Sequence, residues 1–323
     1  MDTGSHLLFG LTLAGLAAVD PNVAANPELL PALVTATMIG SHAPDFDSFM
    51  RLKGKAAYIR THRGLTHSLP APIVWAWLIG CGSAAIFNQW PFLFTLVLWT
   101  FAAVCFHITL DLLNGYGVQC LRPFSRKWWH LDALCLFDPY LFALHSVSAI
   151  AWLFLNMAPA PLFAVTYGLT AIYIIWRLTA HGRTMRIVRG AYPSAGTISL
   201  LPSLSGRVWQ FTAETGNMFR LGKVKDGMII EEAAMPKTPE DSLPPQARAT
   251  LGTDVVRTFL GFSDRIHVNV SPVAEGYEVV WSDVRFWTNN KMPFGTAVTL
   301  DRQLNVLRER IGWDKKTWEP PHV

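Results

Sequence analysis

A histidine and an aspartate four residues apart, His107 and Asp111, lie in an otherwise apolar stretch of this 323-residue chain. On a helix, this spacing places both side chains on one face. Ionisable side chains in a membrane-spanning helix are costly to bury and usually face a partner or a cavity. An imidazole and a carboxylate at this spacing suit zinc, manganese or iron. The alternative is a structural His–Asp hydrogen bond within a helix bundle.

Two further pairs lie between the apolar stretches. Asp45 and Asp47 follow a proline, which ends a helix, and alternate carboxylates in an extended turn can both reach one ion. Their alternative role is helix capping or a solvated turn. His62 and His67 are five residues apart and do not share a face of an ideal helix. We expect Gly64 to break the chain and to let both rings turn inward.

The predicted metal ligands are drawn from several distant stretches of chain. They are His6, His42, Asp45, His62, His67, His107 and Asp111. Histidine binds metal as neutral imidazole, and carboxylates offset the charge of the ion. The set exceeds what one zinc ion needs, which indicates two metals, or one metal with surrounding partners. We assign catalytic roles to Asp45, Asp47 and His67.

Four charged residues near these ligands are candidates for supporting them or binding substrate. They are Arg63, Arg122, Asp132 and Asp138. The two arginines could clamp a phosphate or a lipid headgroup. The favoured alternative is that they anchor the chain on the cytoplasmic side of the membrane, because the predicted topology already explains them.

The elements that carry these residues are predicted to be membrane helices. The chain is 51% hydrophobic and 15% charged, whereas soluble domains are about 25% charged. Four stretches approach the length of about 20 apolar residues that a membrane-spanning helix requires. They are 69–87, 92–113, 134–155 and 160–176, and the weaker stretches 6–19 and 29–42 are predicted to form an N-terminal helical hairpin.

The basic residues indicate how these helices are oriented. Lys and Arg cluster in loops 43–68 and 114–133 and after the last predicted span, while the intervening turns have none. Because such loops stay on the cytoplasmic side, we expect an even number of spans with both termini cytoplasmic. The candidate ligands then lie at the cytoplasmic boundary. These short basic loops do not indicate nucleic-acid binding, which needs a basic patch on a folded surface.

A smaller domain is predicted to follow the membrane domain of residues 1–181 and a basic connector at 182–191. Residues 192–323 are predicted to form a soluble α+β domain that is mostly strand and lies on the cytoplasmic side. The sequence does not identify a protein partner for this domain. Its predicted strands are 207–213, 217–224, 228–231, 266–270, 276–287 and 296–300. A hairpin turn is predicted at Lys225-Asp226-Gly227 and a helix at 247–261.

Five ordered motifs resemble one known family. They are Asp2-Thr3-Gly4-Ser5-His6, Ser41-His42-Ala43-Pro44-Asp45-Phe46-Asp47, His62-Arg63-Gly64-Leu65-Thr66-His67-Ser68, His107 to Asp111, and Leu131 to Pro139. Over about residues 1–190 the chain resembles the bacterial inner-membrane, metal-dependent hydrolases of the YdjM/YbcI type. The resemblance implies a metal-dependent hydrolase of the cell inner membrane, and it does not identify the substrate.

The leading functional hypothesis is hydrolysis of a phosphoester or lipid-linked substrate by metal-activated water. Zinc is the expected metal, with manganese or iron as alternatives, and the lipid bilayer is the expected partner. A second hypothesis is a metal-handling or ion-transporting membrane protein, because intramembrane His and Asp also form ion paths. A third is a non-catalytic membrane scaffold in which His–Asp pairs hold the helices together.

Overall fold

The computed structural model describes residues 1–288 and 290–313. The chain divides into two units. The helical unit comprises Met1–Ser48 and His62–Thr179, and the C-terminal unit comprises Phe49–Thr61 and Ala180–Val323. The second of these therefore includes a short segment from the first quarter of the chain.

Eight α-helices precede the first strand. They are α1 (Thr3–Leu16), α2 (Pro21–Ala25), α3 (Leu30–His42), α4 (Lys55–Thr61), α5 (Ala71–Ile86), α6 (Leu93–Leu112), α7 (Pro139–Leu155) and α8 (Pro159–Ala191). A 3-10 segment, Ala43–Lys53, links α3 to α4, and a 3-10 turn, Leu65–His67, precedes α5. Of these helices, α4 belongs to the C-terminal unit, and α8 is divided between the two units after Thr179.

The two helices of the expected N-terminal hairpin, α1 and α3, pack directly against each other. A Cβ atom added to Gly10 of α1 would lie 2.8 Å from the Cα atom of Met38. A small residue is therefore needed where the two backbones approach closely, as is common between membrane helices. Helix α3 also packs on α5 and α6, and α1 packs on α7.

Two of the described helices are long and apolar enough to cross a membrane, Trp90–Leu112 and Pro159–Ala191. The segment Lys55–His67 and helix Ala71–Ile86 would provide a third span only if this pair, bent by 79°, counts as one. The four clear spans expected from the sequence are therefore not all confirmed. The stretch 134–155 forms only the 17-residue α7, because Asp138 caps the helix just before it begins.

The C-terminal unit contains two four-stranded antiparallel sheets. The strands of the first sheet are, in spatial order, β1 (Ala195–Pro202), β2 (Val208–Thr215), β3 (Met218–Lys225) and β4 (Met228–Pro236). The strands of the second sheet are, in spatial order, β5 (Ile266–Val273), β6 (Gly276–Asp283), β7 (Phe294–Asp301) and β8 (Val306–Trp313). The predicted hairpin turn joins β3 to β4. Asp226 and Gly227 both have positive φ angles there, 50° and 81°, as the favoured two-residue hairpin turn requires.

The expected helix at 247–261 is two helices, α9 (Pro245–Thr250) and α10 (Asp254–Phe262). The break occurs because the side chain of Thr253 accepts a hydrogen bond from the amide of Val256 and starts a new helix. Helix α10 packs on β7 and β8. The core of this unit includes Trp209, Trp281 and Trp287, all of which are buried.

Candidate metal centre

Four buried side chains of the helical unit converge on one point. We call them the inner cluster: Asp45, His67, His107 and Asp111. One ligand atom from each lies within 4.8 Å of the others. His67 Nε2 lies 3.2 Å from His107 Nε2. Asp45 Oδ1 lies 3.7 Å from His67 Nε2 and 3.6 Å from His107 Nε2. Asp111 Oδ2 lies 3.4 Å from His67 Nε2 and 3.5 Å from His107 Nε2.

These separations match the distances between ligands around a tetrahedral ion. Ligands placed tetrahedrally at about 2.0–2.1 Å from zinc lie about 3.3 Å from one another. The two imidazole nitrogens and two carboxylate oxygens are also a chemically suitable set for zinc. The inner cluster therefore has the composition and the dimensions that a single transition metal requires.

Three elements bring the inner cluster together. Helix α6 carries His107 and Asp111 one turn apart, and Asp45 lies in the 3-10 segment directly after α3. His67 ends the 3-10 turn before α5. This turn follows a reversal of the chain at Arg63, whose φ angle is +58°. The chain breaks next to Gly64, as predicted, and His67 turns inward.

Hydrogen bonds orient both imidazoles. His107 Nδ1 donates to the carbonyl oxygen of Ser41 over 2.7 Å, so this ring directs Nε2 at the cluster. Thr66 Oγ1 donates to Asp47 Oδ2 over 2.7 Å and accepts from His67 Nδ1 over 3.0 Å. Such partners fix the tautomer of a metal-binding histidine. In neutral imidazoles these bonds leave both Nε2 atoms as acceptors that face each other, an arrangement that a cation between them stabilises.

Two buried carboxylate oxygens have no hydrogen-bond partner among the described residues, Asp45 Oδ1 and Asp111 Oδ2. These are the atoms that face the two Nε2 atoms. An unpartnered buried oxygen is costly and points to a missing partner such as an ion. The orphaned oxygens thus indicate the same position as the tetrahedral separations do.

The second oxygen of Asp111 has several donors. Arg63 donates to Oδ1 over 2.9 Å, Asn114 donates to it over 3.2 Å, and the amino group of Met1 also contacts it. Arg63 in turn donates to Asn114 Oδ1 and to the carbonyl of Gly117. This network holds Oδ1 away from the inner cluster and directs Oδ2 into it.

A second group, the outer cluster, shares one residue with the first. It comprises Asp45, Asp47 and His62, whose ligand atoms also lie within 4.8 Å of one another. His62 Nδ1 is 2.7 Å from Asp47 Oδ1, and His62 Nε2 is 4.0 Å from Asp45 Oδ1. The side chain of His62 is 20% exposed, so the outer cluster, unlike the inner one, can be reached from outside.

The shared carboxylate of Asp45 is held in its ionised form. Burial raises the pKa of Asp45, but the neighbouring imidazoles of His107 and His67 lower it more. The net pKa lies below the ordinary range of an aspartate. Asp45 is therefore an anionic ligand at neutral pH, able to offset the charge of an ion on either side.

Two further expected metal ligands, His6 and His42, belong to neither cluster. His6 is buried next to the inner cluster, where its ring stacks on His107 with centroids 3.7 Å apart. His42 contacts Phe46 edge to face. Neither is among the ligands of the two clusters within the described part of the chain.

The side chains of two of the remaining charged candidates have structural partners, whereas the buried Nε of Arg122 has no hydrogen-bond partner among the described residues. Asp132 pairs with His130 over 2.7 Å, and Asp138 caps α7 and accepts from the hydroxyl of Tyr173 over 2.9 Å. The backbone carbonyl of Arg122 accepts a hydrogen bond from the amide of Leu69. Of the four supporting candidates, Arg63 is the one that directly contacts a ligand of the inner cluster.

Sequence reasoning missed three groups that orient the ligands: Asn114, Thr66 and the carbonyl of Ser41. Asn114 follows Asp111 by three residues, and this spacing could have indicated a contact. Thr66 precedes His67 directly in the histidine motif. The Ser41 carbonyl carries no sequence signal, because any residue at that position would provide it.

Comparison with known proteins agrees with the location of the site. The family described as YdjM inner membrane protein matches residues 1–184, which include both clusters. The YfhP C-terminal alpha/beta plait domain matches residues 245–319.

One relative resembles nearly the full chain. It comes from Bacillus subtilis strain 168, is described as "Uncharacterized protein YfhP", and is 33% identical over 316 residues, which cover 97% of this chain and 95% of the relative. No solved structure matches the chain. Together with its apolar helices, these matches make the chain a membrane protein. It belongs to the YdjM inner membrane protein family.

Proposed function

We propose that this protein is a membrane-bound hydrolase that uses two transition metals, most simply zinc, at one boundary of the membrane. The observation that carries the proposal is the inner cluster, in which two Nε2 atoms and two carboxylate oxygens have the separations of tetrahedral ligands. The outer cluster provides a second position. Asp45, which belongs to both clusters, would help to hold both metals.

The proposed topology places both clusters on the cytoplasmic side of the inner membrane. Four spans and the α1–α3 hairpin form a membrane domain at residues 1–181, followed by a basic connector at 182–191 and a cytoplasmic domain at 192–323. The grouping of Lys and Arg in loops 43–68 and 114–133 supports this orientation.

Each residue has a distinct chemical role in this proposal. A bound divalent ion lowers the pKa of water towards about 7 and so supplies hydroxide at neutral pH. Arg63 and Asn114 hold the Asp111 carboxylate in place. Thr66 holds Asp47 and His67 in place. The side chain of His62, which is 20% exposed whereas that of Asp47 is 7% exposed, is the accessible part of the site and would meet the substrate first.

We propose a phosphoester as the substrate, carried by a phospholipid or another lipid-linked molecule that approaches from the bilayer. The support is a site in the membrane domain with two candidate metal positions that share the carboxylate of Asp45. Two-metal sites clamp the attacking and leaving oxygens of phosphoryl substrates.

The decisive experiment is elemental analysis of the purified full-length protein together with a hydrolysis assay. We expect about two zinc ions per chain and metal-dependent cleavage of phosphate monoesters, phosphate diesters or phospholipids. Chelation should abolish cleavage, and added zinc should restore it. Folded protein that is active without metal would refute the proposal. Metal-loaded protein that cleaves none of these substrates would favour the metal-handling alternative.

A further inference from the structure

The chain leaves the helical unit between two ligands of the outer cluster. Asp47 and His62 both belong to the helical unit, but Phe49–Thr61, which lies between them, belongs to the C-terminal unit. The two ligands are nevertheless in direct contact, with His62 Nδ1 2.7 Å from Asp47 Oδ1. The outer cluster is therefore closed by a loop whose tip is part of another unit.

The tip of this loop is held by specific contacts within the C-terminal unit. Helix α4 packs against α10 and also touches β8. Arg60 of α4 donates hydrogen bonds to Asp254 Oδ1 over 2.5 Å and to Thr258 Oγ1 over 2.9 Å. Both acceptors lie on α10, which is anchored by Phe259, a fully buried residue that contacts Phe294 of β7.

The base of the loop is held by the carboxylate of Asp47. Its Oδ2 atom accepts from the backbone amide of Arg63 over 3.0 Å and from Thr66 Oγ1 over 2.7 Å. Closing a flexible loop of this length costs conformational entropy. Fixing α4 on α10 reduces the freedom of the loop before the ligands meet, and so lowers the cost of bringing Asp47 to His62.

We infer that the C-terminal domain controls the outer cluster through α4. Arg60 is the positioning residue that keeps Asp47 and His62 in contact. The inference rests on the proposed function for the metal that this pair binds. It gives the C-terminal domain a regulatory role: any ligand or partner that loosens α4 from α10 would weaken the outer metal position and leave the inner one intact.

The test is a charge exchange across the Arg60–Asp254 pair in the full-length protein. Arg60→Glu and Asp254→Arg each place like charges side by side, and the double variant restores an opposite pair. We expect each single variant to weaken binding of the second zinc ion about fivefold, the effect of a surface ion pair at its upper range. The double variant should recover most of that affinity, and the first zinc ion should bind as in the wild type.

A matched control comes from another exposed ion pair of the same unit, Arg308 and Glu275. Neither residue lies on α4 or α10, so Arg308→Glu should leave both zinc affinities unchanged. An Arg60→Glu variant that binds two zinc ions like the wild type, or a double variant that shows no recovery, would overturn the inference.

A second readout does not depend on metal. The amide of Arg63 is protected by Asp47, so its hydrogen exchange in chelator-treated protein reports whether the loop is closed. We expect faster exchange in Arg60→Glu and recovery in the double variant. If purified wild-type protein binds no zinc, the proposed function is refuted. Amide exchange would then be the remaining test of the positioning role of Arg60. Unchanged exchange in Arg60→Glu would refute that role.

Discussion

His107 Nε2 and Asp111 Oδ2 lie 3.5 Å apart across one turn of α6, with both side chains fully buried. Hydrogen bonds between a nitrogen and an oxygen in proteins are usually 2.7–3.2 Å long. A purely structural His–Asp bond should therefore be shorter. The separation is instead close to the spacing of about 3.3 Å between ligands of a tetrahedral zinc ion, which favours the metal hypothesis over the scaffold hypothesis.

The shared position of Asp45 leads to a prediction about metal stoichiometry. Asp45→Asn removes the anionic ligand that both clusters use, so we expect the purified variant to retain well under one zinc ion per chain. His62→Ala removes a ligand of the outer cluster alone and should leave about one. Elemental analysis after passage over a weak chelating resin measures both. Equal zinc content in the two variants would contradict a bridging role for Asp45.

His145 provides the control for histidine replacement in the helical unit. It is buried, and its two ring nitrogens contact Thr12 Oγ1 and Thr170 Oγ1 over 2.8 and 2.9 Å. His145→Ala should lower stability by about 1–3 kcal/mol, because it removes two hydrogen bonds to buried hydroxyls. It should not change the zinc content, which separates loss of a ligand from general loss of packing.

Arg63 leads to a second prediction, in which metal binding and stability decrease together. Its guanidinium neutralises Asp111 when no ion is bound, so Arg63→Met should destabilise metal-free protein by about 3–5 kcal/mol, the usual cost of breaking a buried ion pair. In the variant, Asp111 Oδ1 loses the donor that helps to direct Oδ2 into the inner cluster. The increase in melting temperature on adding zinc should therefore be smaller than that of the wild type. An equal or larger increase would contradict a supporting role for Arg63.

Much of this site could be predicted because its ligands lie in compact motifs. The four-residue spacing of His107 and Asp111 placed both on one face of a helix, and the glycine next to Arg63 marked the chain reversal that turns His67 inward. The division into two clusters could not be predicted. It depends on distances between segments that are far apart in the chain, and residue spacing along the sequence does not predict such distances.

The fold was harder to predict where the usual patterns are weak. Strands β1 and β8 were missed because their sequences carry weak strand signals. Gly and Pro lie near the two ends of β1, and charged residues interrupt the apolar pattern of β8. The inclusion of Phe49–Thr61 in the C-terminal unit has no local signal either. Its contacts are with α10, about 200 residues further along the chain.

The first sheet of the C-terminal unit leads to a third prediction. A Cβ atom added to Gly222 would lie 2.2 Å from the carbonyl oxygen of Ile230 on the neighbouring strand and 2.9 Å from the ring of Phe211. Gly222→Ala should therefore lower stability by about 1–3 kcal/mol through overpacking. Gly196→Ala in β1, where an added Cβ meets no atom within 4 Å, is the matched control. Thermal unfolding of the two variants measures the difference, and equal stabilities would contradict it.

A fourth prediction concerns acid. The hydrogen bond from Lys237 lowers the pKa of Glu214, and the one from Thr197 adds to this effect. Because the pKa of the folded state is depressed, the pair contributes stability above the unfolded-state pKa of about 4.3 and loses it as pH falls further. Glu214→Gln should therefore cost about 0.2–1 kcal/mol at pH 7 and little at pH 3. Lys237→Gln should show the same pH dependence, with no added effect in the double variant. A stability difference that persists at pH 3 would mean that Glu214 stabilises the sheet by packing and not by its charge.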